Sequence, residues 1–176
     1  MTKNSRTLIK GILLTIAAAL ISMQGAANAQ KNEDVPETLL TGVWRTVTVP
    51  RNCSTGAPMP NAIFEGLMTF HGDGTISAWL QNSTITTTRS PIHGVWRRDT
   101  GWDFPGETTY LTRIVHMRYN LSTGAFIGRQ ESQGSFVLNH SSDTFTSDST
   151  TTVFDASGSP TSTSCANSSG TRFTLN

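Results

Sequence analysis

From residue 42 onward the chain is a succession of short runs in which apolar and polar side chains alternate, the period of a strand with one face buried. Eight runs qualify: 42–49, 66–71, 75–81, 92–98, 108–119, 125–138, 144–154 and 162–174. No stretch among them carries a sustained 3.6-residue apolar period, and 61–65 is the best candidate for a single helical turn. The second and third runs are joined by His71-Gly72-Asp73-Gly74, a strong hairpin signal because Asp-Gly tolerates the positive φ of a tight turn. Asn120-Leu121-Ser122-Thr123-Gly124, the polar turn 139–143, and 155–160 make similarly short links further on. This pattern predicts an all-β fold, a single antiparallel up-and-down barrel of about eight strands over 42–176 with a loose lead-in over 30–41. Two links are long: 50–65, with Pro50, Pro58 and Pro60, and 99–107, with Trp102, Phe104 and Pro105. Long irregular loops are where function concentrates and also where insertions are tolerated.

Closure of such a barrel can be checked within the sequence. In an antiparallel pair the numbers of facing residues keep a constant sum. If the first run meets the last with Trp44 beside Arg172, that sum is about 216 and Cys53 falls within one or two positions of Cys165. The Trp–Arg contact and a Cys53–Cys165 bridge thus demand one register. A second check is the hairpin around 120–124, where a sum near 244 sets Arg113 opposite Glu131 and Met117 opposite Ile127. Tyr110, Ile114, His116, Arg118 and Phe126 then share the other face. The sequence leaves open whether the face with the ion pair looks outward or into the barrel.

The first 29 residues read differently. Lys3, Arg6 and Lys10 precede an apolar stretch from Gly11 to Met23, and Ala27-Asn28-Ala29 forms a small-residue cleavage signal, the layout of a Sec signal peptide. An apolar stretch of about 13 residues is short for a membrane span. Cleavage would leave Gln30 at the N-terminus of one domain and lower the formal charge from +1 to about −2. With Lys31 the only remaining lysine and no basic cluster, nucleic acid and anionic membrane surfaces are poor partners. The expected location is periplasmic or secreted, where Cys53 and Cys165, the only cysteines, would form a disulfide. No other segment is apolar enough to cross a membrane as a helix, and a monomer is favoured.

Gly42-x-Trp44 on the first strand and Arg172 on the last resemble the structural signature of lipocalins and their calycin relatives. In that group the Trp packs at one barrel end beneath a basic side chain from near the C-terminus. Gly42-Val43-Trp44-Arg45, Pro50-Arg51-Asn52-Cys53, Leu67-x-Thr69-Phe70-x-x-x-Gly74-Thr75 and Gly94-Val95-Trp96 are similar to segments of exported bacterial proteins with lipocalin-like barrels. The resemblance implies a barrel with an interior that is filled by side chains or holds one small ligand. Gly42, Trp44 and Arg172 take structural roles in it. The group's Thr-Asp-Tyr motif is absent here.

Catalytic signatures are missing from the residues themselves. His71, His93, His116 and His140 form no metal-ligand spacing, so no metal or other cofactor is expected. His93 and His116 lie within strands and can point into a cavity, whereas His71 and His140 sit at turn ends. There is no Gly-x-Ser-x-Gly elbow, and nothing selects a carboxylate pair for glycoside chemistry. Trp79, Trp96, Trp102 and Phe104 can line or lid one barrel mouth, or serve as core. With Arg113, His116 and Glu131 as polar anchors they have the composition of a small-molecule pocket. Three functions follow. The first is an exported barrel that binds a small apolar or amphipathic molecule. The second is a cyclase- or isomerase-type barrel enzyme, which needs His116, Arg113, Glu131 or Arg118 to converge inside. The third is a secreted interaction module with 144–154 as an open sheet edge.

Overall fold

The computed structural model describes residues 39–59, 62–82, 87–100 and 107–175. Among them there is no helix, and the strands are β1 (Gly42–Arg51), β2 (Phe64–Phe70), β3 (Thr75–Gln81), β4 (Thr87–Arg89), β5 (Ile92–Arg98), β6 (Thr108–Asn120), β7 (Phe126–Leu138), β8 (Thr144–Phe154) and β9 (Pro160–Arg172). All pairings are antiparallel. The order β6-β5-β3-β2-β1-β9-β8-β7 returns to β6 through a β6–β7 ladder, which closes a barrel of eight strands with β4 as one extra strand. The expected all-β barrel is therefore present. The open-edged form is not: β8 is paired along its length with β7 on one side and β9 on the other. Of the segment 61–65, Asn61 lies outside the described residues, and the described part is not a helical turn, since Phe64 and Glu65 already belong to β2, paired with Thr48 and Val47.

The closing ladder has the register that the two termini demanded. Trp44 faces Arg172 and Arg51 faces Cys165, and Cys53 is disulfide-bonded to Cys165 with Cα atoms 5.0 Å apart. The bridge spans 112 residues of sequence, a loop long enough to contribute up to about 4.7 kcal/mol on the chain-entropy account.

Arg172 seals the end of the barrel that this register brings together. Its guanidinium carbon lies 4.3 Å from the ring centre of Trp44, which is fully buried. Its nitrogens donate to three carbonyls: Ser142 O at 2.9 Å, Thr41 O at 2.8 Å, and Leu39 O. Trp44 Nε1 donates to Leu40 O at 2.9 Å, which holds buried Leu40 against the core. Gly42 is required here: its φ is +134°, and a Cβ would stand 2.9 Å from an Arg172 nitrogen. Above this seal Phe70, Trp96, Tyr110, Phe136 and Phe145 pack through tilted and edge-to-face contacts, with centroids 4.8–6.3 Å apart. Trp96 is thus core, and its Nε1 donates to His71 O and Thr75 O, both at 3.1 Å.

The β6–β7 hairpin differs in detail from expectation. Arg113 faces Gln133, Val115 faces Glu131 and Met117 faces Arg129, a register two residues longer than expected. The cause is a bulge: Tyr119 pairs with Phe126 but Arg118 with Gly128, leaving Ile127 as the extra residue. Gly128 makes the bulge feasible with φ +130° and no Cβ to strike Phe154 O. Because the shift is even, Tyr110, Ile114 and His116 keep one face, as expected. Phe126 does not join them: it stacks on Tyr119 at 5.9 Å on the other side of the bulge.

The seal predicts a specific asymmetry between substitutions. Arg172→Met strands three carbonyls and should cost about 2 kcal/mol or more. Arg172→Lys keeps the charge over Trp44 without the planar fork and should recover part of that loss. Urea denaturation of both variants measures it; equal losses would show that the charge over Trp44 contributes nothing, and parental stability in Arg172→Lys would show that the fork contributes nothing.

Candidate functional site

Strand parity sorts the candidate residues. On β6 and β7 the inward positions are Tyr110, Thr112, Ile114 and His116, facing Phe136, Gly134, Ser132 and Gln130. Arg113 and Glu131 are on the outer face. There Glu131 accepts from Arg113 at 2.8 Å and from Arg129 at 2.7 Å, and Arg129 lies 4.1 Å over the Phe154 ring. Those donations, Arg113 first, hold the Glu131 carboxyl below the usual carboxylate range. Trp79 faces outward from β3 and is half exposed beside Leu67. His93 is exposed, turned out by the alternation that puts Ile92 and Trp96 inside. Trp102 and Phe104 lie outside the described residues. Of the ligand-site candidates among the described residues, only His116 and Trp96 are inside the barrel, and they sit at different levels.

The interior has two halves. The half nearest Trp44 is filled by the aromatic cluster. The other half retains a cavity of about 90 Å³, roughly the space of three water molecules at about 30 Å³ each. One wall is apolar, from Met68, Leu80, Ile92 and Ile114; the opposite wall is hydroxylic, from Ser132, Ser147, Thr151 and Ser168. Several hydroxyls satisfy each other, Ser132 with Thr151 at 2.7 Å and Thr48 with Ser168 at 2.8 Å.

The cavity opens sideways. β3 pairs with β5 only from Thr75–Val95 to Ala78–Ile92. Beyond Ala78, β3 stays on β2, while β4 stays on β6 alone. Between Trp79–Gln81 and Thr87–Arg89 the wall therefore has no ladder among the described residues. Ser90-Pro91 causes the split. Proline lacks the N–H that a continuing strand would donate. Ser90 keeps the two pieces on β6 by donating its N–H to Met117 O and accepting Met117 N–H at Oγ, both at 3.0 Å. The gap forms a groove of about 710 Å³ whose lining includes Ile63, Trp79 and Thr88. Leu80, Arg89 and Ile92 line both groove and cavity.

At and beside that junction stand two arginines and a histidine. Arg89 and Arg118 are directly opposed in the β4–β6 ladder, and His116 is two residues from Arg118. Arg89 packs its guanidinium 4.4 Å over Phe64, and its Nε is buried without a hydrogen-bond partner among the described residues. Burial, then the Arg118 charge, lower the Arg89 pKa to about 10, which still leaves a cation at neutral pH. His116 is 5% exposed, and its Nε2 has no partner among the described residues. Burial, then Arg89 and Arg118, push its pKa down to about 3, so the imidazole is neutral in the empty barrel. No group of three or more His, Cys, Asp or Glu side chains suited to a metal occurs among the described residues. Sequence reasoning missed Arg89. The Pro91 break marked its segment as irregular, but only the β4–β6 pairing brings Arg89 to Arg118.

No protein-family model matches the chain, and no curated protein matches it. The class that the structure defines is a closed antiparallel β-barrel, consistent with a lipocalin-like fold, with a half-filled interior reached through its side.

The buried imidazole carries a pH signature. The unfolded chain protonates this side chain near pH 6.5, the folded chain only near 3. Stability therefore falls by about 1.4 kcal/mol per pH unit as pH drops below 6.5, levelling off near pH 3. The lowered carboxylates lose their contribution only at lower pH, through the usual carboxylate range and below. Between pH 7.5 and 5 the His116 contribution is about 2 kcal/mol. His116→Gln should flatten the chemical-denaturation stability over that window; an unchanged slope would mean that the imidazole is not held neutral.

Proposed function

We propose that the protein is an exported lipocalin-like barrel that binds one small amphipathic molecule and performs no chemistry on it. The observation that carries this reading is the continuity of the inner cavity with the side groove through Leu80, Arg89 and Ile92. A barrel built only for stability would fill both halves, as the Trp44 end does. The cavity alone is far below the roughly 300–1,000 Å³ of ordinary ligand pockets. The ligand thus places one end in the cavity and the rest in the groove against Ile63, Trp79 and Ile92. A cyclase-type reading drew on four charged groups, and Arg113 and Glu131 face outward, which favours the carrier. The Cys53–Cys165 disulfide supports a location outside a reducing cytoplasm. The signal-like N-terminus supports export with Gln30 as the mature first residue.

Native mass spectrometry of the protein recovered from its exporting host tests this. The expected species is a disulfide-closed monomer beginning at Gln30 and carrying a small-molecule adduct. A chain retaining its first 29 residues would overturn export, and a uniformly empty barrel would overturn the carrier.

A further inference from the structure

We propose that the ligand is an anion with a short apolar body, and that Arg89, Arg118 and His116 receive its charged headgroup. The proposal rests on the carrier reading and names what that carrier holds. Its basis is an uncompensated cluster of charge. Cα atoms of facing residues in an antiparallel ladder lie about 4.5–5.5 Å apart, and like charges set opposite one another are destabilising. Arg89 and Arg118 occupy such a pair. No hydrogen bond or ion pair to a carboxylate offsets Arg89 or Arg118 among the described residues. Among the described residues the groove lining contains one carboxylate, Glu65, on the outward face of β2 opposite Gln81. The charges acting on Arg89 and His116 are those of neighbouring arginines alone.

Two further observations show that the cluster is aimed at a ligand. Arg89 and His116 both line the cavity, and each has a buried nitrogen with no partner there, Nε on Arg89 and Nε2 on His116. A buried polar atom without a partner is costly, and an anion at this junction would satisfy both. The geometry suits a carboxylate, which can accept from a guanidinium fork and an imidazole N–H together. The space limits the headgroup: about 90 Å³ admits a carboxylate and a few carbons, with the remaining chain leaving through the groove. The Phe64 ring under Arg89 fixes one face of the guanidinium and leaves its edge for the ligand.

Calorimetric titration of the mature protein at pH 7.5 with octanoate and with 1-octanol separates charge from hydrophobicity. Octanoate should bind at least about tenfold more tightly than octanol. Arg89→Gln and Arg118→Gln should each weaken octanoate about tenfold or more and leave octanol unchanged. Each variant relieves the facing pair of like charges, so its unliganded melting temperature should be no lower than that of the parent, and octanoate should raise the parent's melting temperature more than the variant's. Equal binding of octanoate and octanol, or parental octanoate affinity in both variants, would overturn the headgroup site and leave the carrier standing. Failure of both probes to bind would also overturn it, and the adduct on the native protein then decides the carrier separately.

Discussion

The pairing of β1 with β9 is the constraint on which everything else in this molecule depends. A side-chain period of two means that a slip of one residue would turn Trp44, Thr46 and Thr48 from inside to outside. The register is held at both ends of the ladder, by Arg172 over Trp44 and by the Cys53–Cys165 bridge two residues beyond Arg51. Closing the sheet also pairs its edges, except at the side gap between Trp79–Gln81 and Thr87–Arg89. With the seam fixed, the inward positions of all the other strands follow from their ladders.

The barrel then divides its labour along its axis. One end is packed with rings, roofed by an arginine whose three nitrogens all find carbonyls. The other end tolerates what a stable core avoids: a void, a hydroxylic wall, an imidazole without a partner and two opposed arginines. Such defects persist where function requires them and the rest of the fold supplies the stability. The contrast between two arginines makes the point. Arg172 and Arg89 both stack on an aromatic ring, but only Arg172 is fully provided with acceptors.

Much of the architecture was legible because alternation and turns are local signals. The runs 75–81, 92–98 and 144–154 coincide with β3, β5 and β8, and the seam register followed from requiring Trp44–Arg172 and the two cysteines to agree. The β6–β7 register was legible only to within the bulge at Ile127, since a positive φ at Gly128 leaves no mark that distinguishes it from any strand glycine. The candidate site was less legible. His93 and His116 were both strand histidines able to point inward, and only the barrel separates buried His116 from exposed His93 and from the outward Arg113 and Glu131. β4 has three residues, two of them threonine, and owes its existence to β6; nothing local announces that Arg89 will face Arg118.

The central claim is that this barrel keeps an anion site at the junction of cavity and groove. Anomalous scattering from crystals soaked in bromide tests it directly. The expected result is an ordered bromide between Arg89, Arg118 and His116 that is lost in Arg89→Gln. Bromide bound only to outer-face arginines such as Arg113 and Arg129, with none at the junction, would contradict it.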